Sequence, residues 1–117
     1  MTAPAPTDLT AGVQALAAMR CRAGAARLSA DELARHLQSL AGWTASDGRI
    51  AKEFRFDDYH DTIAFVNALA WIAHREDHHP DLAVHYGRCV VTFSTHDAGG
   101  VTLNDVICAA RAERLIA

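Results

Sequence analysis

Asp47-Gly48 is the pair that most restricts this chain. It is a strong two-residue hairpin signal, set between Gly42–Ser46 and Arg49–Phe56, because short two-residue turns draw on very few residue pairs. On the second strand Ile50, Lys52, Phe54 and Phe56 fall on one face. Segments on either side read as helices. Ser29 with Glu32 three residues on has capping-box spacing, Leu33, His36, Leu37 and Leu40 share a face, and Gly42 stops that helix. After the hairpin, Asp57 or Asp58 can cap a long helix from about His60 to Asp77. Its predicted core stripe is Ile63, Val66, Leu69, Ala70 and Ala73. A second stripe, Asn67, Trp71, His74 and His78, runs beside it. Pro80 disfavours helix at His79, so the helix should end at the histidine pair.

A second hairpin follows over Asp81–Asp97, with Gly87-Arg88 fitting a type II′ turn. Cys89, Val91, Phe93 and Thr95 alternate with Val90, Thr92, Ser94 and His96, so the two sets face opposite ways. Thr102-x-x-Asp105 opens a last helix reaching about Ile116. The order helix, hairpin, helix, hairpin, helix predicts an α+β fold: a four-stranded antiparallel sheet with helices packed on one face. Residues 29–117 form the expected domain. Residues 1–28 read as a flexible or partly helical extension, Pro/Ala-rich and disordered over Met1–Asp8, then marginally helical.

With 50% hydrophobic and 21% charged residues, the 117-residue chain reads as one soluble domain. A net charge of −3 provides no basic field for nucleic acid. No apolar run of about 18 or more residues offers a membrane span. Cys21, Cys89 and Cys108 are an odd count without CxxC spacing, which suits a reducing cytoplasm rather than a disulfide framework or a thiolate zinc site. The Ala/Arg-rich start faintly resembles a transit peptide, but a tail or short amphipathic helix is the plainer reading.

Five of the seven histidines, His74, His78, His79, His85 and His96, lie between positions 74 and 96. Taken from the residues alone, three readings stand. His74 and His78 at i, i+4 could share a metal ion, though Glu76 is not where an HExxH site would put it. Imidazoles titrate near neutrality, so a positioned set can act as acid and base. A solvated helix end is the third.

Asp77-His78-His79-Pro80, then Tyr86, then Val91–His96 resembles the signature of the pterin-4a-carbinolamine dehydratases. The resemblance runs from about residue 29 to 115, taking in Gly42-Trp43, "KEFRFDDY" and "GGVTLND". It implies dehydration of 4a-hydroxytetrahydropterin to quinonoid dihydropterin. That reaction recycles the cofactor of aromatic amino acid hydroxylases and needs no metal or other cofactor. It also implies homodimers or homotetramers. His78, His79 and His96 would be the catalytic, pterin-contacting residues. Asp77, Ser94, Thr95, Trp43, Tyr86 and His74 would line or support the site, with Asp77 a candidate partner for an imidazole and Ser94 favoured over Thr95 as the side-chain contact. His74 stands where the family commonly has glutamate. Two other readings accompany the enzyme: a non-catalytic pterin-binding protein, and a dimerisation cofactor of transcription factors. The latter would use the apolar last-helix face of Val106, Ile107 and Ala110.

Overall fold

The computed structural model describes residues 9–117, so the expected disorder of Met1–Asp8 lies outside the described residues. In chain order the elements are α1 (Leu9–Ala17), α2 (Ala30–Leu37), β1 (Thr44–Ser46), β2 (Arg49–Arg55), α3 (Tyr59–Glu76), β3 (Asp81–His85), β4 (Arg88–Phe93) and α4 (Leu103–Arg114). A single 3-10 turn, His96–Ala98, precedes α4. The four strands make one antiparallel sheet in the order β1-β2-β4-β3. From α2 onward the expected order of elements holds, with α1 placed before it.

Local chemistry accounts for the joints. Asp47 and Gly48 have φ of 51° and 75°, the two positive values that a type I′ turn requires, and Ser46 pairs with Arg49 across them. Ser29 caps α2 and exchanges hydrogen bonds with Glu32, whose amide donates to the Ser29 hydroxyl at 3.1 Å. Asp58, rather than Asp57, caps α3 by accepting the Asp61 amide at 2.8 Å. The second hairpin turns at Tyr86-Gly87, not at Gly87-Arg88. His85 pairs with Arg88 across it, and the Gly87 carbonyl accepts the Phe56 amide at 2.9 Å. Gly87 is not among the glycines with positive φ, so the type II′ geometry is absent.

Alternation puts Ile50 and Phe54 of β2 and Cys89, Val91 and Phe93 of β4 into the core. The registers Ile50↔Phe93 and Phe54↔Cys89 set these side chains opposite one another. The stripe that α3 buries is rotated from the expected one. Thr62, Phe65, Leu69, Ala73 and Glu76 face inward, while Ala70 is exposed and Ile63 and Val66 are only partly covered. The Phe65 ring decides the rotation. It lies 4.7 Å from the Phe54 centroid and 5.1 Å from that of Phe56, and an aromatic buries more apolar area than an alanine. Thr62 is tolerated inside because its hydroxyl reaches the carbonyls of Asp58 (2.9 Å) and Tyr86 (2.8 Å).

A third correction concerns the last helix. Val106, Ile107 and Ala110 are buried within the chain, because α1 lies along α4 and sets Leu16 and Ala17 into the same core. That helix therefore presents no free apolar face at those three residues. Leu69 is fully buried at the centre of α3. Leu69→Ala is expected to cost about 2–5 kcal/mol through lost transfer energy and an unfilled cavity, read as a lowered urea midpoint at unchanged m-value.

Candidate active site

The end of α3 is built so that His78 turns back across the sheet. Asp77 adopts the left-handed conformation, φ 49°, which aspartate tolerates better than most residues. Its amide donates to the His74 carbonyl at 3.3 Å, and that of His78 donates to Ala73 at 3.1 Å. These are the two bonds of a Schellman termination, and Pro80 then prevents the helix from resuming. The helix thus ends at Glu76, one residue before the expected end. Asp77 is the pivot that redirects the chain.

So aimed, the His78 ring lies parallel to Phe93, 6.0 Å between centroids with a 10° interplanar angle. Its Nε2 meets Asp105 Oδ1 at 2.5 Å. Asp105 is completely buried and His78's side chain is 12% exposed. The other carboxylate oxygen, Oδ2, accepts from the Thr95 hydroxyl at 2.7 Å and from the Thr102 amide at 2.8 Å. Thr95's one hydroxyl hydrogen is thereby used, so the Thr102 hydroxyl, 2.8 Å away, donates to it. Asp105 consequently ties the Asp-His-His-Pro segment to the Ser-Thr-His segment. Bonding to Asp105 raises the pKa of His78 above the ordinary histidine value. Burial opposes the rise, and the nearby charges of Asp105, Cys21 and Asp77 reinforce it.

A cleft of about 530 Å³ opens beside this pair, within the size range of small-molecule sites. One wall holds Asp77, His78, Thr95, Asp97 and Ala98. The other is a strap, residues 21–25, that follows α1. Two buried side chains fasten it. Glu76 accepts the Cys21 amide through Oε1 and Arg20 Nε through Oε2, each at 2.9 Å. Burial would raise the Glu76 pKa, but the Cys21 amide, Arg111 and Arg20 outweigh burial and hold it below the ordinary value. Asn104 takes the Arg22 amide at 2.9 Å and returns a bond to the Arg22 carbonyl at 2.7 Å.

The remaining expected site residues divide clearly. His79 and His96 are exposed, each next in sequence to cleft-lining residues. Thr95 faces inward to Asp105, whereas Ser94 is exposed. The carboxylate on His78 is Asp105, not Asp77. Trp43 belongs to the core: it packs on Phe54 and Phe93, and its Nε1 donates to Glu113 at 2.9 Å. Tyr86, 69% exposed, stacks on Tyr59 at the opposite end of α3 and is not brought to His78 within this chain. His74 is exposed on α3, and among the described residues no group of three or more His, Cys, Asp or Glu stands ready for a metal ion. Asp105, Glu76 and Asn104 were not anticipated as site residues. The only sequence signal for Asp105 was its capping spacing from Thr102.

The comparisons with known proteins bear on the family and the fold. The family described as pterin 4 alpha carbinolamine dehydratase matches residues 26–115. A protein of Stenotrophomonas maltophilia, provisionally named pterin-4-alpha-carbinolamine dehydratase, is 58% identical over 91 residues, covering 76% of this chain and 78% of its own. One of the same provisional name from Chromobacterium violaceum is 62% identical over 79 residues, covering 68% and 73%. Among solved structures, a transcriptional coactivator/pterin dehydratase from Brucella melitensis superposes with a TM-score of 0.75 at 32% identity, over 78% of this chain and 99% of that one. A pterin dehydratase-like RuBisCO assembly factor, 23% identical with a TM-score of 0.53 over 62% of this chain and 84% of its own, shares the fold. With its matched span enclosing every element from α2 to α4 and the His78–Asp105 pair, the chain belongs to the pterin 4 alpha carbinolamine dehydratase family.

Proposed function

We propose that the chain dehydrates 4a-hydroxytetrahydropterin to quinonoid dihydropterin by histidine acid–base catalysis. The observation carrying this reading is the Asp105 carboxylate, which joins His78 to Thr95 at the base of the cleft. Hydroxide leaves C4a poorly, so the reaction needs a proton donor at that oxygen and an acceptor for the N5 proton. His78 is the donor. Asp105 favours its protonated form and engages Nε2, so Nδ1–H is the proton left for the hydroxyl. As the C4a–O bond breaks, water departs and the N5 lone pair forms the C4a=N5 bond. His96 takes the N5 proton, and His79 holds the ring. The product is quinonoid dihydropterin, which a reductase would reduce to the tetrahydropterin cofactor of an aromatic amino acid hydroxylase. The working unit is a cytoplasmic homodimer or homotetramer.

A partner-binding role, as in the coactivator half of the Brucella protein's name, is the second reading. It is favoured by Trp71, 60% exposed on α3 under the Arg75 guanidinium. The test is quinonoid dihydropterin formation from freshly generated 4a-carbinolamine, followed by absorbance. The enzyme reading expects a rate well above the spontaneous one, unchanged by a chelator. A rate equal to the spontaneous one would leave the binding reading in its place.

A further inference from the structure

The strap carries a thiol that the proposed chemistry leaves idle. Cys21 Sγ lies 3.5 Å from Cys108 Sγ, although 86 residues separate the two in sequence. Both sides of this contact are held. Cys21's own amide is bound by Glu76, and the neighbouring Arg22 backbone is clamped at two points by Asn104, one turn of α4 before Cys108. The two sulfurs are therefore kept as neighbours by bonds that involve neither of them. Cys21 lines the cleft and is only partly buried, whereas Cys108 sits inside α4's covered face. Cys89 is also buried, but it points into the sheet core.

We propose that Cys21 and Cys108 form a redox-modification site, which a hydroperoxide closes into an intramolecular disulfide fastening the cleft-side strap to α4. Cys21 is the attacking sulfur. The Cys108 contact lowers its pKa, although burial and Glu76 oppose the shift. The same contact and burial push the Cys108 thiol up. The thiolate is the reactive form, so the two roles are unequal from the start. In the first step the Cys21 thiolate takes one oxygen from the hydroperoxide to give a sulfenic acid, and hydroxide leaves (an alkoxide for an organic hydroperoxide). In the second step Cys108 sulfur attacks the sulfenic sulfur, the S–O bond breaks, and the Cys108 proton leaves with that oxygen as water. With hydrogen peroxide the net change is two thiols and one peroxide to one disulfide and two waters.

The experiment treats the full-length protein with a small excess of hydrogen peroxide, beside Cys21→Ser, Cys108→Ser and Cys89→Ser. The expected result in wild type and Cys89→Ser is the loss of two hydrogens in intact mass. A proteolytic peptide should join Cys21 to Cys108. A melting temperature raised by roughly 10 °C should fall back with dithiothreitol, since closing a long loop constrains the unfolded chain. Neither Cys21→Ser nor Cys108→Ser should show the cross-link. The partly exposed Cys21→Ser serves as the control less prone to misfolding. Three free thiols after peroxide, oxygen added to Cys21 without a cross-link, or a disulfide between two chains would each overturn the proposal.

Discussion

Replacing His78 with alanine is expected to slow dehydration by about 10²–10⁴-fold, the usual worth of one positioned acid–base group, with a much smaller change in KM. Alanine removes the one ring that Asp105 holds against the cleft, and the remaining histidines, His79 and His96, have no described bond to that carboxylate. The substitution also leaves Asp105 Oδ1 buried without its partner, a cost of about 1–3 kcal/mol. Assays therefore belong well below the melting temperature, with folding checked by circular dichroism. Added imidazole should restore part of kcat in His78→Ala, because the vacated space beside Phe93 admits the missing ring. Unchanged kcat would remove His78 from the mechanism.

Asp105→Asn is the second large effect, and its direction follows from counting donors. Three groups point at this carboxylate: the Thr95 hydroxyl, the Thr102 amide and His78 Nε2. A carboxylate accepts all three, whereas an amide offers one oxygen and turns an NH₂ toward the rest. With the oxygen kept for the threonines, the NH₂ faces His78 and demands an unprotonated Nε2. The imidazolium is then disfavoured and the pKa of His78 falls below its wild-type value. We expect kcat to drop about 10²-fold, with the limb of the pH profile that reports the acid moving to lower pH. Stability should follow the same group. In wild type the folded pKa of His78 is raised, so its contribution is complete below the unfolded histidine value of about 6.5 and is lost as pH rises through the folded value. The urea-measured gap between wild type and Asp105→Asn should accordingly be wider at about pH 6 than at pH 9. A gap independent of pH would show that Asp105 serves only to cap α4.

These expectations rest on a residue that was legible only in part. Thr102-x-x-Asp105 reads as a helix start, and that reading is sufficient in itself, so nothing in the local pattern asks for a second use of the same carboxylate. Its partner His78 lies 27 positions away, brought near by the left-handed turn at Asp77 and by the register of β4 in the sheet. The first hairpin's turn and the alternation of β4 fared better because their information is local, whereas the turn of the second hairpin was misplaced by one residue. Asp47-Gly48 needs only its own two φ angles, and the alternation of Cys89, Val91 and Phe93 survives any tertiary context that covers one face of the sheet. The α3 face was harder to choose. Alanines at 64, 68, 70 and 73 weaken the contrast between its sides, and the choice fell to Phe65, whose neighbours are Phe54 in β2 and Phe56 just after it. The same blindness to tertiary contact made Val106, Ile107 and Ala110 look available. A short helix that is marginal alone gives no sign that it will lie along α4.

The double bonding of Asp105 also bears on how such a site can change over time. Strength of an acid is often adjusted by exchanging the carboxylate behind it. Here that carboxylate also holds the amide that begins α4, so any exchange is felt first as a loosened helix. Variation in His78's proton affinity is thereby steered to the ring it lies against, Phe93, and to the charge at Asp77. Mutational drift should reach the chemistry of this cleft through the ring that His78 lies against before it reaches it through the Asp105 carboxylate.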